Sequence, residues 1–154
     1  MDGVPCKPEI RFSFTDLSTD KPRLVEPWEI YFGVTGTFGI EVSRDIIYSE
    51  PHFCLVEFAI SSQLWSRAFV LGPEDFLYTS MEAEETGLVW IRSQPGGLRV
   101  GSVFEQHPCQ QLFSFGEIVA ALDDYYGQLR HAVKGKFDID IALLFEWRAK
   151  QLRA

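Results

Sequence analysis

Carboxylates are the only chemistry-bearing residues of this chain that gather at any density. Glu74, Asp75, Glu82, Glu84 and Glu85 all precede Gly87, and no Lys or Arg occurs between Arg67 and Arg92. The same one-sidedness holds from Gly101 to Leu129, with Glu105, Glu117, Asp123 and Asp124. Acid/base catalysis would need two carboxylates in one cleft whose surroundings push their pKa values apart. Nothing in this spacing requires such a cleft. An acidic ridge that steers a basic partner needs only exposure and density, and a solvated hairpin tip needs no more than that. Asp138-Ile139-Asp140 has the form of a metal-binding D-x-D but lacks the further oxygen ligands of a calcium loop.

The remaining reactive side chains are scattered. His52, His107 and His131 have no Asp, Glu or Cys neighbour at a ligand or triad spacing. No G-x-S-x-G elbow surrounds Ser13, Ser80, Ser102 or Ser114. Pro95-Gly96-Gly97 joins two strand-like runs, so it is not a phosphate-binding loop leading into a helix. Cys6, Cys54 and Cys109 are far apart, and none belongs to a C-x-x-C or Cys/His pair. No catalytic residue, metal ligand or cofactor is therefore expected.

The elements that position these groups are easier to read. From Asp75 to Gln106 three apolar runs are separated by turn residues, and period-two alternation marks an antiparallel meander. Leu88, Trp90 and Arg92 alternate with Val89, Ile91 and Ser93, and Leu98, Val100, Ser102 and Phe104 share a face. Upstream, Ile10, Phe12 and Phe14 define a half-buried strand over residues 9–16. A polar, proline-bearing loop follows over 18–27. Residues 28–42 read as a β region interrupted by Gly33, Gly36 and Gly39, and 46–48 as a short strand.

Residues 51–69 read as a helix, with Ser49 as N-cap, Pro51 in the first turn and Gly72-Pro73 as the stop. The next helix is announced by the Ser114/Glu117 capping box, with Phe113 and Ile118 placed for a hydrophobic staple. Ile118, Leu122, Tyr125, Leu129 and Ala132 form its apolar stripe, and Gly135 is the expected C′ residue. A last, shorter helix starts from Asp140. Trp65, Tyr78, Trp90 and Phe104 are expected in the core; Trp28, Tyr125, Tyr126 and Trp147 are the better candidates for a partly exposed patch, with core still the preferred account of each.

These pieces predict a single α+β domain over residues 1–154, with residues 1–8 as a flexible arm. Its antiparallel sheet, built of the N-terminal strands and the meander, packs against two or three helices. The chain is long enough to bury roughly two-thirds of its unfolded surface. Twenty-two acidic against 14 basic residues give a formal charge of −8, the opposite of what nucleic acid or an anionic membrane attracts. Residues 1–10 lack the pattern of a signal peptide, and no apolar run approaches spanning length. A cytoplasmic home is expected.

The order of pieces from about Ile40 to Ile141 resembles small acidic cytosolic proteins of actinobacteria and related bacteria. Those pieces are FCLVEFAISSQLW, FLYTSMEAEETGLVWIR, LRVGSV and FSFGEIVAALDDYYGQL. Several of the families resembled are read as immunity proteins of polymorphic toxin systems. The resemblance implies a non-catalytic protein that neutralises a cognate toxin by covering it, here through an acidic surface against a basic toxin domain. The residues expected to make that contact are Glu82, Glu84, Glu85, Asp123 and Asp124, the densest carboxylates in the two stretches without Lys or Arg. The alternative from another class is a small-molecule-binding domain or carboxylate-using enzyme with a cleft between sheet and helices.

Overall fold

A computed structural model describes residues 9–80, 87–105 and 107–153. The described residues form an α+β fold with six strands in two three-stranded antiparallel sheets and four α-helices. In chain order these are β1 (Ile10–Thr19), α1 (Pro27–Gly33), β2 (Val34–Val42), β3 (Asp45–Cys54), α2 (Leu55–Phe69), β4 (Phe76–Tyr78), β5 (Val89–Gln94), β6 (Gly97–Gly101), α3 (Phe115–Phe137) and α4 (Leu144–Arg153). The meander expected after Asp75 is β4-β5-β6, and the N-terminal strands form a separate sheet, β1-β2-β3.

Helix α2 is the centre of the molecule. Leu55 through Ile60 are all buried, which explains why its first turns are apolar but for Glu57: a helix covered on every side needs no polar stripe. Phe58 illustrates this. Its ring lies 4.8 Å from Phe38 of the first sheet, 5.4 Å from Tyr125 of α3 and 6.0 Å from Phe76 of the second sheet. The predicted start of this helix was too early. Residues 51–54 continue β3, and Ser49 pairs with Gly39 rather than capping a helix. β3 is an edge strand of its sheet, where a proline such as Pro51 is tolerated.

The region 28–42 also divides differently from its sequence reading. Its first third is helix α1. Pro27 fills the first position, where its missing N–H costs nothing, and Glu29 reaches back to accept the Glu26 N–H at 2.9 Å. Gly33 ends α1, while Gly36 and Gly39 lie within the continuous strand β2. The irregularities fall on the neighbours. β1 bulges between Thr15 and Ser18, and β3 bulges opposite the step from Gly36 to Phe38. Asp16 (φ 59°) and His52 (φ 56°) take the left-handed conformation at these two bulges. Gly36 sits between them, and a Cβ there would lie 2.6 Å from the Thr15 carbonyl oxygen.

Helix α3 starts as expected: the Ser114 hydroxyl accepts the Glu117 N–H at 3.1 Å, and the Glu117 carboxylate accepts the Ser114 N–H at 3.0 Å. It packs chiefly on α2 and β1, burying Ile118, Leu122, Tyr125, Leu129 and Val133. Val133 takes the place predicted for Ala132, which is only half-buried. The helix runs past Gly135 to Phe137 and closes on Asp138 in the left-handed conformation (φ 57°), which the short polar Asp side chain tolerates. Asp140 then caps a 3-10 turn (Ile141–Leu143) that leads into α4. Among the described residues, no helix is long and apolar enough to cross a membrane.

Candidate functional site

Two places in the fold concentrate functional groups. The first is a polar cavity of about 210 Å³ beside the bulge in β3. Asp20, Lys21, Trp28, Glu29, His52 and Cys54 are among its lining residues. Two of its charges, Lys21 and Glu29, are spent on one another. The Lys21 ammonium donates to Glu29 at 2.9 Å and lies 4.6 Å from the centre of the Trp28 ring. The Glu26 N–H and Lys21 together hold the Glu29 carboxyl below its ordinary range, the wrong direction for a proton donor. The Cys54 thiol donates to the Phe32 carbonyl at 3.6 Å.

Behind this cavity lies a buried carboxylate that the spacing arguments passed over. Glu57 is 4% exposed, and its Oε1 accepts the Ser80 hydroxyl at 2.7 Å and the Tyr78 phenol at 2.9 Å. Burial, followed by the neighbouring Glu57 charge, raises the Tyr78 pKa well above its ordinary value. The cluster holds α2 to the end of β4. All three side chains are buried.

The second place is the outer face of β4-β5-β6. Register sets Leu77, Trp90 and Gly101 side by side, with Arg92 and Arg99 as the next pair on the same face. The Trp90 indole lies across Gly101, where a Cβ would come within 2.3 Å of the ring. The Arg92 guanidinium stacks 4.3 Å from the ring centre, and that of Arg99 lies at 5.5 Å. Arg99 is oriented by its Nε, which donates to the Cys109 carbonyl at 2.8 Å. Around this stack three large apolar side chains reach solvent: Leu77 is 56% exposed, Val103 53% and Phe104 48%. Gly87 lies between two of them: its carbonyl accepts the Val103 N–H at 3.0 Å, and a Cβ there would stand 3.2 Å from Leu77 and 3.9 Å from Trp90.

The carboxylates predicted to meet a partner fare differently. Glu82, Glu84 and Glu85 lie outside the described residues. Asp123 and Asp124 are exposed on α3, and each is held by an amide: Gln63 donates to Asp123 at 3.0 Å and Gln128 to Asp124 at 2.9 Å. Of the candidates for an exposed aromatic patch, Trp28 is exposed and Tyr126 and Trp147 are half-buried. Tyr125 is fully buried and donates to the Leu55 carbonyl at 2.9 Å, because it lies on the same stripe as Ile118 and Leu122. Phe104 lies beyond the end of β6 and is exposed rather than in the core. Asp138 and Asp140 are engaged by Lys134 and Arg130 respectively. Among the described residues, no cluster of His, Cys, Asp and Glu could hold a metal ion.

A family model matches residues 10–135, which takes in both sheets and α1 to the last turns of α3. The chain belongs to that family, described as Domain of unknown function (DUF7878). Both the polar cavity and the Trp90 stack fall inside the DUF7878 match. No curated protein and no solved structure matches the chain.

Proposed function

We propose that this protein works by binding another protein rather than by catalysis, and that its contact surface is the outer face of β4-β5-β6. One observation carries the reading. Leu77, the cross-strand neighbour of Trp90, is exposed, as are Val103 and Phe104 past the end of β6, and the Trp90 ring, itself 7% exposed, lies against two Arg. Large apolar side chains with Trp and Arg are what the centre of a protein interface is made of. The stack is also rigid before any partner arrives, because Trp90 is wedged over Gly101 and Arg99 is tied to Cys109, which lowers the ordering cost of association.

In the immunity-type form of this reading the partner is a cognate toxin, and the protein neutralises it by covering its surface in the cytoplasm. Asp123 and Asp124 on α3 then act as outlying charges that affect the encounter rate. The cleft reading draws less support, since Lys21 and Glu29 of the 210 Å³ cavity satisfy one another and Glu29 is held toward its ionised form.

The test is a pair of surface variants. Leu77→Glu with Val103→Glu replaces exposed apolar side chains, so folding is expected to persist by circular dichroism and thermal melting. Co-purification of a partner from the cell that carries the gene should be lost in that variant and kept in Asp123→Ala with Asp124→Ala. Loss in the α3 variant with retention in the sheet variant would place the contact on the acidic helix instead.

A further inference from the structure

We infer that Arg92 and Arg99 form a carboxylate-reading pair, and that the partner presents an acidic side chain set among apolar residues. The inference rests on the binding surface proposed above and adds the chemistry of what it recognises. Arg92 and Arg99 face each other across β5 and β6, an arrangement in which like charges repel. The chain carries 22 acidic residues, yet among the described residues no carboxylate lies within ion-pairing distance of either guanidinium. Of the nearby acids, Asp75 accepts the Ser93 N–H at 2.9 Å, and Glu105 accepts the Ser102 N–H at 3.2 Å with its Oε2 over Gly101, next to the Trp90 ring.

Two positive charges are thus held together and oriented with no ion pair among the described residues, in a protein of formal charge −8. Stacking on Trp90 explains how the pair is held. Among the described residues it leaves the terminal N–H groups of both forks without a hydrogen-bond acceptor, open to a planar acceptor with two oxygens. A carboxylate fits that geometry. So would a phosphate, but the flanks decide between them. Leu77, Val103 and Phe104 offer apolar contact, which a protein segment returns and a phosphodiester backbone does not. The overall negative charge also repels a polyanion while leaving a single Glu or Asp side chain free to approach.

The experiment follows the side-chain Nε–H signals of Arg92, Arg99 and Trp90, and the amides of Leu77, Val103 and Phe104, in nitrogen-15 NMR titrations of the full chain. The probes are a short capped peptide of alternating Glu and Leu, its counterpart with Gln in place of Glu, inorganic phosphate and an oligothymidylate. The Glu peptide is expected to move both sets of signals saturably and to bind about tenfold more tightly than the Gln peptide, the ratio for losing a charge-assisted contact. Arg92→Gln, which leaves the Arg99–Cys109 bond in place, should remove most of that preference. Equal binding of the two peptides would overturn the carboxylate inference and leave the binding surface standing. Failure of both peptides to move Leu77, Val103 and Phe104 would overturn the two together. Tighter saturation by phosphate or oligothymidylate would overturn the inference in favour of a free anion or a nucleic acid.

Discussion

The Tyr78 phenol donates to the Glu57 carboxylate at 2.9 Å, and both side chains are buried. A carboxylate that deep is tolerated only because donors surround it. Tyr78→Phe keeps the ring and removes one of them, so the variant should lose about 2 kcal/mol of stability, in the range for a hydrogen bond to a charged group. Urea denaturation measures this directly. A loss below the scatter of the method would mean that Glu57 is held neutral or finds another donor.

The tyrosines make the fold sensitive to alkali. Burial raises the pKa of all five, Tyr31, Tyr48, Tyr78, Tyr125 and Tyr126. In the unfolded chain they ionise near the ordinary value of about 10. Below that pH both states are neutral and stability is unaffected. Above it only the unfolded chain ionises, so stability falls as pH rises toward the folded-state values. Absorbance of tyrosinate should therefore appear together with unfolding, as one cooperative step. A gradual rise in the folded protein would contradict the burial of these phenols.

On the acid side the Arg130–Asp140 pair sets the response. The Arg130 guanidinium, which donates at 2.7 and 2.8 Å, and then the Ala142 N–H hold the Asp140 pKa down to about 2. Its contribution is fully present above the ordinary carboxylate range and is lost as pH falls through that lowered value. A carbon-detected titration should give Asp140 the low midpoint. Arg130→Gln should move it upward, and amide exchange at the start of α4 should quicken as the carboxyl protonates.

Much of this architecture was legible in the residues. The Ser114/Glu117 box announced α3, and period-two alternation between turn residues announced β1, β5 and β6. Three features were hidden. The start of α2 was unreadable because a helix buried on all sides shows the same apolar run as the buried strand before it. Helix α1 is short, and its glycine-rich continuation has β character. Trp90 is buried as expected, but the Arg pair against it was hidden, because Arg92 and Arg99 are separated by a turn and meet Trp90 only through strand register. Glu57 carried a signal of its own, a single charge inside FCLVEFAI.

The paired bulges make Gly36 sensitive. A Cβ there would stand 2.6 Å from the Thr15 carbonyl oxygen and 2.8 Å from Leu55. Gly36→Ala should destabilise by about 1–3 kcal/mol, the usual cost of forcing a backbone shift. Gly127 is the contrast: it lies within α3 with nothing within 4 Å of an added Cβ. Gly127→Ala should stabilise by about 0.5–1 kcal/mol through helix propensity. Thermal melts of the two variants should move in opposite directions.

The central claim is that the outer face of β4-β5-β6 meets a protein partner. The direct measurement is site-specific photo-crosslinking in the cell that carries the gene, with the photoreactive residue at Leu77, at Phe104 or at Asp124. The account predicts one adduct of a single mass from Leu77 and Phe104, lost when Arg92→Glu is added, and none from Asp124. An adduct from Asp124 with none from Leu77 or Phe104 would contradict it and move the contact to α3.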